Sequence, residues 1–253
     1  MHPEHPEIRV RDRGRPPMCA HARSRNLDGM PHFDYDGVLF DLDGVLTSTT
    51  PLHAACWKQA FDEFLTEPFD VERDYLTHVD GKPRHEGVRD LLLSRGIEPA
   101  PELVNAIAER KQALVAQALE SGGVDAFPGS VRWVEQLRDA GVCTAVVSAS
   151  ANCRAVLRAA GIERLFDVKV DGGDVTRLGL RGKPAPDGFL EAASRVGARP
   201  ARSIVVEDAL AGVAAGRSGD FGLVIGVARG TSAAALRRAG ADIVVDDLQE
   251  LVR

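Results

Sequence analysis

The stretch GVLFDLDG, Gly37-Val38-Leu39-Phe40-Asp41-Leu42-Asp43-Gly44, is an apolar run that ends on two acids and a glycine. A short unbroken apolar run closed by turn residues is predicted to be a strand buried on both faces. Two carboxylates directly after such a strand cost free energy unless cations or hydrogen-bond donors compensate them. The chain beyond Gly44 decides the fold. From Thr50 to about Gly123, apolar residues recur at helical spacing in Leu52 to Leu65, Arg84 to Arg95 and Pro101 to Glu120, with no strand pattern. Strand and helix then alternate. Strands are expected at Val142 to Val147, Ser203 to Val206, Gly222 to Val227 and Ile243 to Val245. Helices are expected at Val131 to Leu137, Ala155 to Ala160, Pro186 to Val196 and Ala209 to Ala215, the first three stopped by Gly141, Gly161 and Gly197. Alternation with short links predicts an α/β fold, a parallel sheet covered by helices on both faces. The helical stretch would be an insertion leaving the carboxyl end of the first strand, the edge where open α/β sheets bind ligands. The expected organisation is a core of residues 33–49 and 124–253, a helical cap of residues 50–123, and a disordered extension of residues 1–32.

That extension carries prolines and arginines without apolar periodicity, so it has little apolar surface to offset the entropy of ordering. It reads either as a true extension or as a start placed too far upstream, with Met18 or Met30 as the alternatives. It lacks the apolar segment of a secretory signal, so a cytoplasmic location is expected. The chain has 253 residues, 44% of them hydrophobic, and a net charge of −6, which argues against a generally basic nucleic-acid binder. No run approaches the roughly 18 or more apolar residues of a membrane span, so no membrane partner is expected. The four cysteines are scattered without CxxC spacing, which disfavours a zinc site. Arginines far outnumber the five lysines, Lys58, Lys82, Lys111, Lys169 and Lys183.

Four segments could carry chemistry. Asp41 and Asp43 follow the first strand, Ser148 and Ser150 follow the second core strand, and Glu207 and Asp208 follow Ile204-Val205-Val206. Lys183 sits in Gly-Lys-Pro-Ala-Pro-Asp, where flanking proline and glycine fix the backbone. Each has a plainer reading: a polar turn after a strand, a serine helix cap, a solvated loop lysine, an acidic pair matching a helix dipole. An EF-hand loop at Asp41 is excluded because its third acid and terminal glutamate are missing. Taken together, four carboxylates, one lysine and a hydroxyl would form a strongly anionic cluster that needs Mg²⁺ before a phosphate could enter.

With these motifs in hand, FDLDGVLT (40–47), VVSAS (146–150), GKPAPD (182–187) and VVEDALAG (205–212), the chain resembles the haloacid dehalogenase superfamily of phosphotransferases. Within it the chain is most similar to the β-phosphoglucomutase family, on the run DLDGVLTSTTPLHAACWKQAF, Arg84 after VDGK, Arg110-Lys111 and SASAN. The resemblance implies a Rossmann-like core with a helical cap inserted after the first motif. It implies Asp41 as nucleophile, Asp43 as general acid/base and as a backbone-carbonyl metal ligand, and Glu207 and Asp208 completing a Mg²⁺ site. Ser148 and Lys183 would hold the transferring phosphate, and His53 would align Asp43. Thr49, Trp57, Arg84, Lys111, Ser150 and Asn152 would bind substrate, Arg84 taking the phosphate that does not react.

The activity implied is interconversion of β-D-glucose 1-phosphate and glucose 6-phosphate through an aspartyl-phosphate. The partner is a small phosphorylated sugar, with a trace of sugar 1,6-bisphosphate as cofactor and the enzyme a monomer. Ser48 stands where Asp is common in the family, Ala151 where Lys can occur, and Gln112 where Asn follows the cap lysine. These departures motivate the alternative, a sugar-phosphate phosphatase on the same nucleophile.

Overall fold

The computed structural model describes residues 35–121 and 123–252. The expected extension of residues 1–32 lies outside them. Among the described residues, six parallel strands form one sheet in the order β3-β2-β1-β4-β5-β6. They are β1 (Gly37–Phe40), β2 (Cys143–Val147), β3 (Val168–Val170), β4 (Ser203–Glu207), β5 (Leu223–Val227) and β6 (Ile243–Val245). This is the doubly wound order, and β1 lies at the point where the strand order reverses. Phe40 pairs in register with Val146 of β2 and Val206 of β4. The residues just beyond those three therefore emerge side by side at one sheet edge.

Every residue of β1, β2 and β4 is buried, as expected of strands covered on both faces. On one face Phe40 meets Trp133 and Phe166 edge-on, at 5.5 and 6.1 Å between ring centroids. Trp133 comes from α4 (Pro128–Asp139), which begins with proline in its first turn. On the other face Leu39, Val147 and Val205 pack with Phe189, Ala192 and Ala193 of α7 (Asp187–Val196).

Between β1 and α4 the chain is helical: α1 (Thr50–Phe64), a π-helical segment Val71–Val79, α2 (Arg84–Ser94) and α3 (Pro101–Ser121). These helices bury an apolar cluster of their own, with Trp57, Phe61 and Phe69 stacked at 5.2 and 5.1 Å and Leu91, Leu92 and Ile107 around them.

Several elements go beyond what periodicity predicted. The π-helical segment is closed by a bond from Asp80 N–H to Tyr75 C=O, five residues back, so its apolar positions do not follow the 3.6-residue pattern. β3 is a three-residue edge strand broken by the half-buried Lys169, too short to show a period. It leads into α6 (Gly172–Leu178), whose glycine pair is a poor helix former; Asp171 caps it by accepting from Gly173 and Asp174 N–H. Two more helices, α5 (Cys153–Ala159) and α8 (Leu210–Ser218), lie close to the expected positions. The last, α9 (Ala233–Ala239), is alanine-rich and shows little apolar contrast; Ser232 caps it.

Candidate active site

The register of β2, β1 and β4 puts Ser148, Asp41 and Glu207–Asp208 together at the carboxyl edge. All four are buried. Lys183, also buried, reaches them from the loop before α7, next to a cis Lys183–Pro184 bond. Its ammonium donates to Asp41 Oδ1, and to Glu207 Oε1 at 2.5 Å. The other Glu207 oxygen accepts the backbone N–H groups of Asp208 and Ala209, both at 3.0 Å.

Two glycines make this density possible. Gly44 has φ +84°, and a Cβ there would land on the Asp208 carboxylate. At Gly212, on α8, a Cβ would collide with the Glu207 carboxylate.

The charges do not balance. Oxygens of Asp41, Glu207 and Asp208 lie within 4.8 Å of one another, and one lysine faces them. Burial pushes the Asp41 carboxyl well above its usual range; Lys183 pulls it back, and Glu207 and Asp43 push it further up. Burial likewise raises Asp208 well above the usual range, with Asp80, Glu207 and Asp41 adding to the rise. Lys183 itself is raised: burial works against its charge, but Asp41 and Glu207 outweigh it. Oxygen-only ligands carrying excess negative charge suit a hard divalent cation, so the residues present fit the metal that the motifs imply.

Asp43 faces the other way. Its carboxylate accepts from Thr49 Oγ1, and His53 Nε2 lies 3.2 Å from the same oxygen. That nitrogen is off the line of a hydrogen bond and has no hydrogen-bond partner among the described residues. Burial pushes Asp43 up, but His53 and Thr49 outweigh it and hold the carboxyl at about 2. Behind His53, Lys111 Nζ contacts His53 Nδ1 at 2.9 Å and sits 4.9 Å over the Trp57 ring. Burial pulls the Lys111 ammonium down to about 8, with Asp43 opposing. An ammonium donating to Nδ1 would put the imidazole proton on Nε2, the nitrogen 3.2 Å from the Asp43 carboxylate.

A cavity of about 440 Å³ opens above these groups. Asp41, Asp43, Ser148 and Asp208 line it from the sheet edge, and His53, Trp57, Arg84 and Lys111 from the inserted helices. Ser150 also lines it. Ser148 Oγ accepts from Ser150 N–H, and Ser150 Oγ accepts from Asn152 N–H, so both hydroxyls also order the turn into α5. Four expected residues stand behind the wall, among them Glu207, which is bonded to Lys183. Thr49 is held by Asp43, Lys183 lies beneath Asp41, and Asn152 accepts at Oδ1 from Gln112 Nε2 at 2.7 Å.

The cavity also shows residues to which the sequence assigned no role. Asp80, from the turn after the π-helical segment, faces the sheet-edge acids. Burial and Glu207 push its carboxyl up to about 7, while the Tyr75 hydroxyl bonds it and pulls it down. Gln112 joins Arg84 to Asn152. His85, Thr176 and Arg177 also line the cavity. A signal for Asp80 was present, an acid in a Gly-Lys-Pro turn four residues from Arg84, but turns attract aspartate whatever their function.

The comparisons with known proteins agree with this geometry. The family model described as haloacid dehalogenase-like hydrolase matches residues 35–220. A β-phosphoglucomutase of Mycobacterium tuberculosis is 45% identical, over 93% of this chain and 98% of its own length. A validoxylamine A 7'-phosphate phosphatase of Streptomyces hygroscopicus is 31% identical, over 86% of this chain and 96% of its own. The crystal structure of a β-phosphoglucomutase from Clostridium difficile matches with a TM-score of 0.73 at 26% identity, over 86% of this chain and 93% of that one.

Proposed function

This chain belongs to the haloacid dehalogenase-like hydrolase family, and we propose that it is a phosphosugar mutase interconverting β-D-glucose 1-phosphate and glucose 6-phosphate. The observation that carries this reading is the pair of cationic grips on one cavity. Lys183 stands under Asp41, while Arg84 stands on the opposite, helical side. A phosphatase needs one phosphate site. A reaction through a 1,6-bisphosphate needs two, one reacting and one held still.

In this reading Asp41 attacks phosphorus in line, forming an O–P bond as the sugar–oxygen bond to phosphorus breaks. The departing sugar oxygen takes a proton from Asp43. In the return step Asp43, as carboxylate, removes the proton from the other hydroxyl, which attacks the aspartyl-phosphate. His53, backed by Lys111, orients Asp43. Ser148 and Lys183 hold the transferring phosphoryl oxygens, and Arg84 grips the idle phosphate through parallel N–H donors.

Asp41, Glu207, Asp208 and the Asp43 carbonyl would hold Mg²⁺, which would offset the charge of the phosphoryl oxygens. Residues 50–123 act as a cap that keeps water from the aspartyl-phosphate. The enzyme works as a cytoplasmic monomer on a free sugar phosphate, with a trace of 1,6-bisphosphate. Among the described residues no helix is long and apolar enough to cross a membrane.

The exposed Ala151, where a second basic residue could have reinforced the distal grip, favours a second reading, sugar-phosphate hydrolysis. One assay separates them. With Mg²⁺, β-glucose 1-phosphate and a trace of bisphosphate, the mutase yields glucose 6-phosphate and little free phosphate. Phosphate released in step with sugar phosphate consumed would replace the mutase reading with the hydrolase.

A further inference from the structure

Arg84 is a half-buried cation without a counter-charge. Among the described residues no carboxylate lies within ion-pair distance of it, and its Nε is buried with no hydrogen-bond partner. Burial pulls its guanidinium below the usual value, with only the more distant charge of Glu109 opposing. Among the described residues its one side-chain hydrogen-bond partner is an amide: Nη1 donates to Gln112 Oε1. The other end of that amide donates from Nε2 to Asn152 Oδ1, 2.7 Å away. Arg84 opens α2, Gln112 lies on α3, and Asn152 stands at the start of α5. One side chain therefore ties two inserted helices to the sheet domain, directly beside the cavity.

We propose that Gln112 is a positioning residue that clamps Arg84 and Asn152 while leaving the arginine's charge unspent for the idle phosphate of the substrate. This rests on the mutase reading in assigning that phosphate to Arg84. An amide suits the task because it accepts and donates at once and is neutral. A carboxylate in its place would hold Arg84 more strongly but would satisfy the charge internally, so an incoming phosphate would have to compete with it. An apolar residue would leave Arg84 its charge and remove both bonds. The free Arg84 Nε is what such a clamp should leave over, a desolvated donor that becomes satisfied only when an anion arrives.

The test compares Gln112→Leu and Gln112→Glu with wild type on two phosphate esters. One is β-glucose 1-phosphate with trace bisphosphate. The other is p-nitrophenyl phosphate, which has no second anion for Arg84 to hold. Both variants should raise KM for the sugar phosphate by about 10- to 100-fold, the range set by losing a hydrogen bond to a charged group. The rise for p-nitrophenyl phosphate should be at least about tenfold smaller.

The isosteric Gln112→Glu keeps the comparison readable if the leucine variant does not fold. Asn152 can turn its amide to donate to the new carboxylate, so the bridge persists and only the charge of Arg84 is spent. A Gln112→Glu enzyme that matches wild type overturns the proposal, as does an equal KM rise on both esters. If the chain proves to be a hydrolase, glucose 1,6-bisphosphate read as phosphate released replaces β-glucose 1-phosphate, because it still carries a second phosphate for Arg84. A KM rise on it no larger than on p-nitrophenyl phosphate then overturns the clamp independently of the mutase reading.

Discussion

Lys183 and Arg84 are both withdrawn from solvent beside one cavity, yet they are left in opposite electrostatic states. At the sheet edge Lys183 is bonded to two carboxylates, and the acids around it still outnumber it. On the inserted helices Arg84 has an amide for a partner and no acid within reach among the described residues. The sheet edge is short of positive charge and the helical side is short of negative charge. A metal–phosphate pair below and a second phosphate above would satisfy both, and a protein folding for stability alone would leave neither imbalance.

The largest effect that tests this contrast is on stability. Lys183→Met strands Asp41 and Glu207 without their cation and should cost about 3–5 kcal/mol in urea unfolding at neutral pH without metal. Arg84→Ala removes a cation that forms no ion pair, so it should cost under about 1 kcal/mol while still weakening sugar phosphate binding. Equal destabilisation by the two substitutions would contradict the contrast.

A smaller effect concerns pH. Lys111 titrates at about 8 in the folded chain, below its ordinary 10.5. Below pH 8 both the folded and the unfolded chain hold this proton, and the folded chain bears the cost of burying the charge. Between 8 and 10.5 the unfolded chain holds more protons, so unfolding free energy should rise with pH across that window as the cost is relieved. Over the same rise through 8 the KM for the sugar phosphate should increase, because Lys111 loses its charge beside His53. In Lys111→Met both trends should vanish; their persistence would assign them to another group.

The two regions also differed in how much the sequence revealed. The sheet-edge residues were legible as a set: each alone reads as a polar turn, a helix cap or a dipole match, but an acid or hydroxyl after three separate buried apolar strands converges on one edge. Asp41 and Ser148 directly follow the adjacent strands β1 and β2, and Glu207 ends β4. The helical side was legible only in part. Arg84 and Lys111 came from a family resemblance, because a cation on a helix is ordinarily solvated. Asp80 was hidden in a turn, and the π-helical segment that delivers it follows a spacing the apolar pattern does not display. Gln112 was visible only as a departure from the family. Its role depends on α3 meeting α2 and α5, contacts 28 and 40 residues apart in sequence that no local pattern encodes. β3 and α6 escaped for the same kind of reason, being too short for a period to build up.

The central claim is that Asp41 carries the phosphoryl group between the two sugar positions. Its most direct test is to incubate the Mg²⁺-loaded enzyme with labelled glucose 1,6-bisphosphate, quench in acid, digest, and locate the label by peptide mass. The account predicts a phosphoryl group on Asp41 that hydroxylamine removes, as it does from an acyl phosphate, and no label in Asp41→Asn. A label that survives hydroxylamine, or one on Ser148 or any other residue, would contradict it.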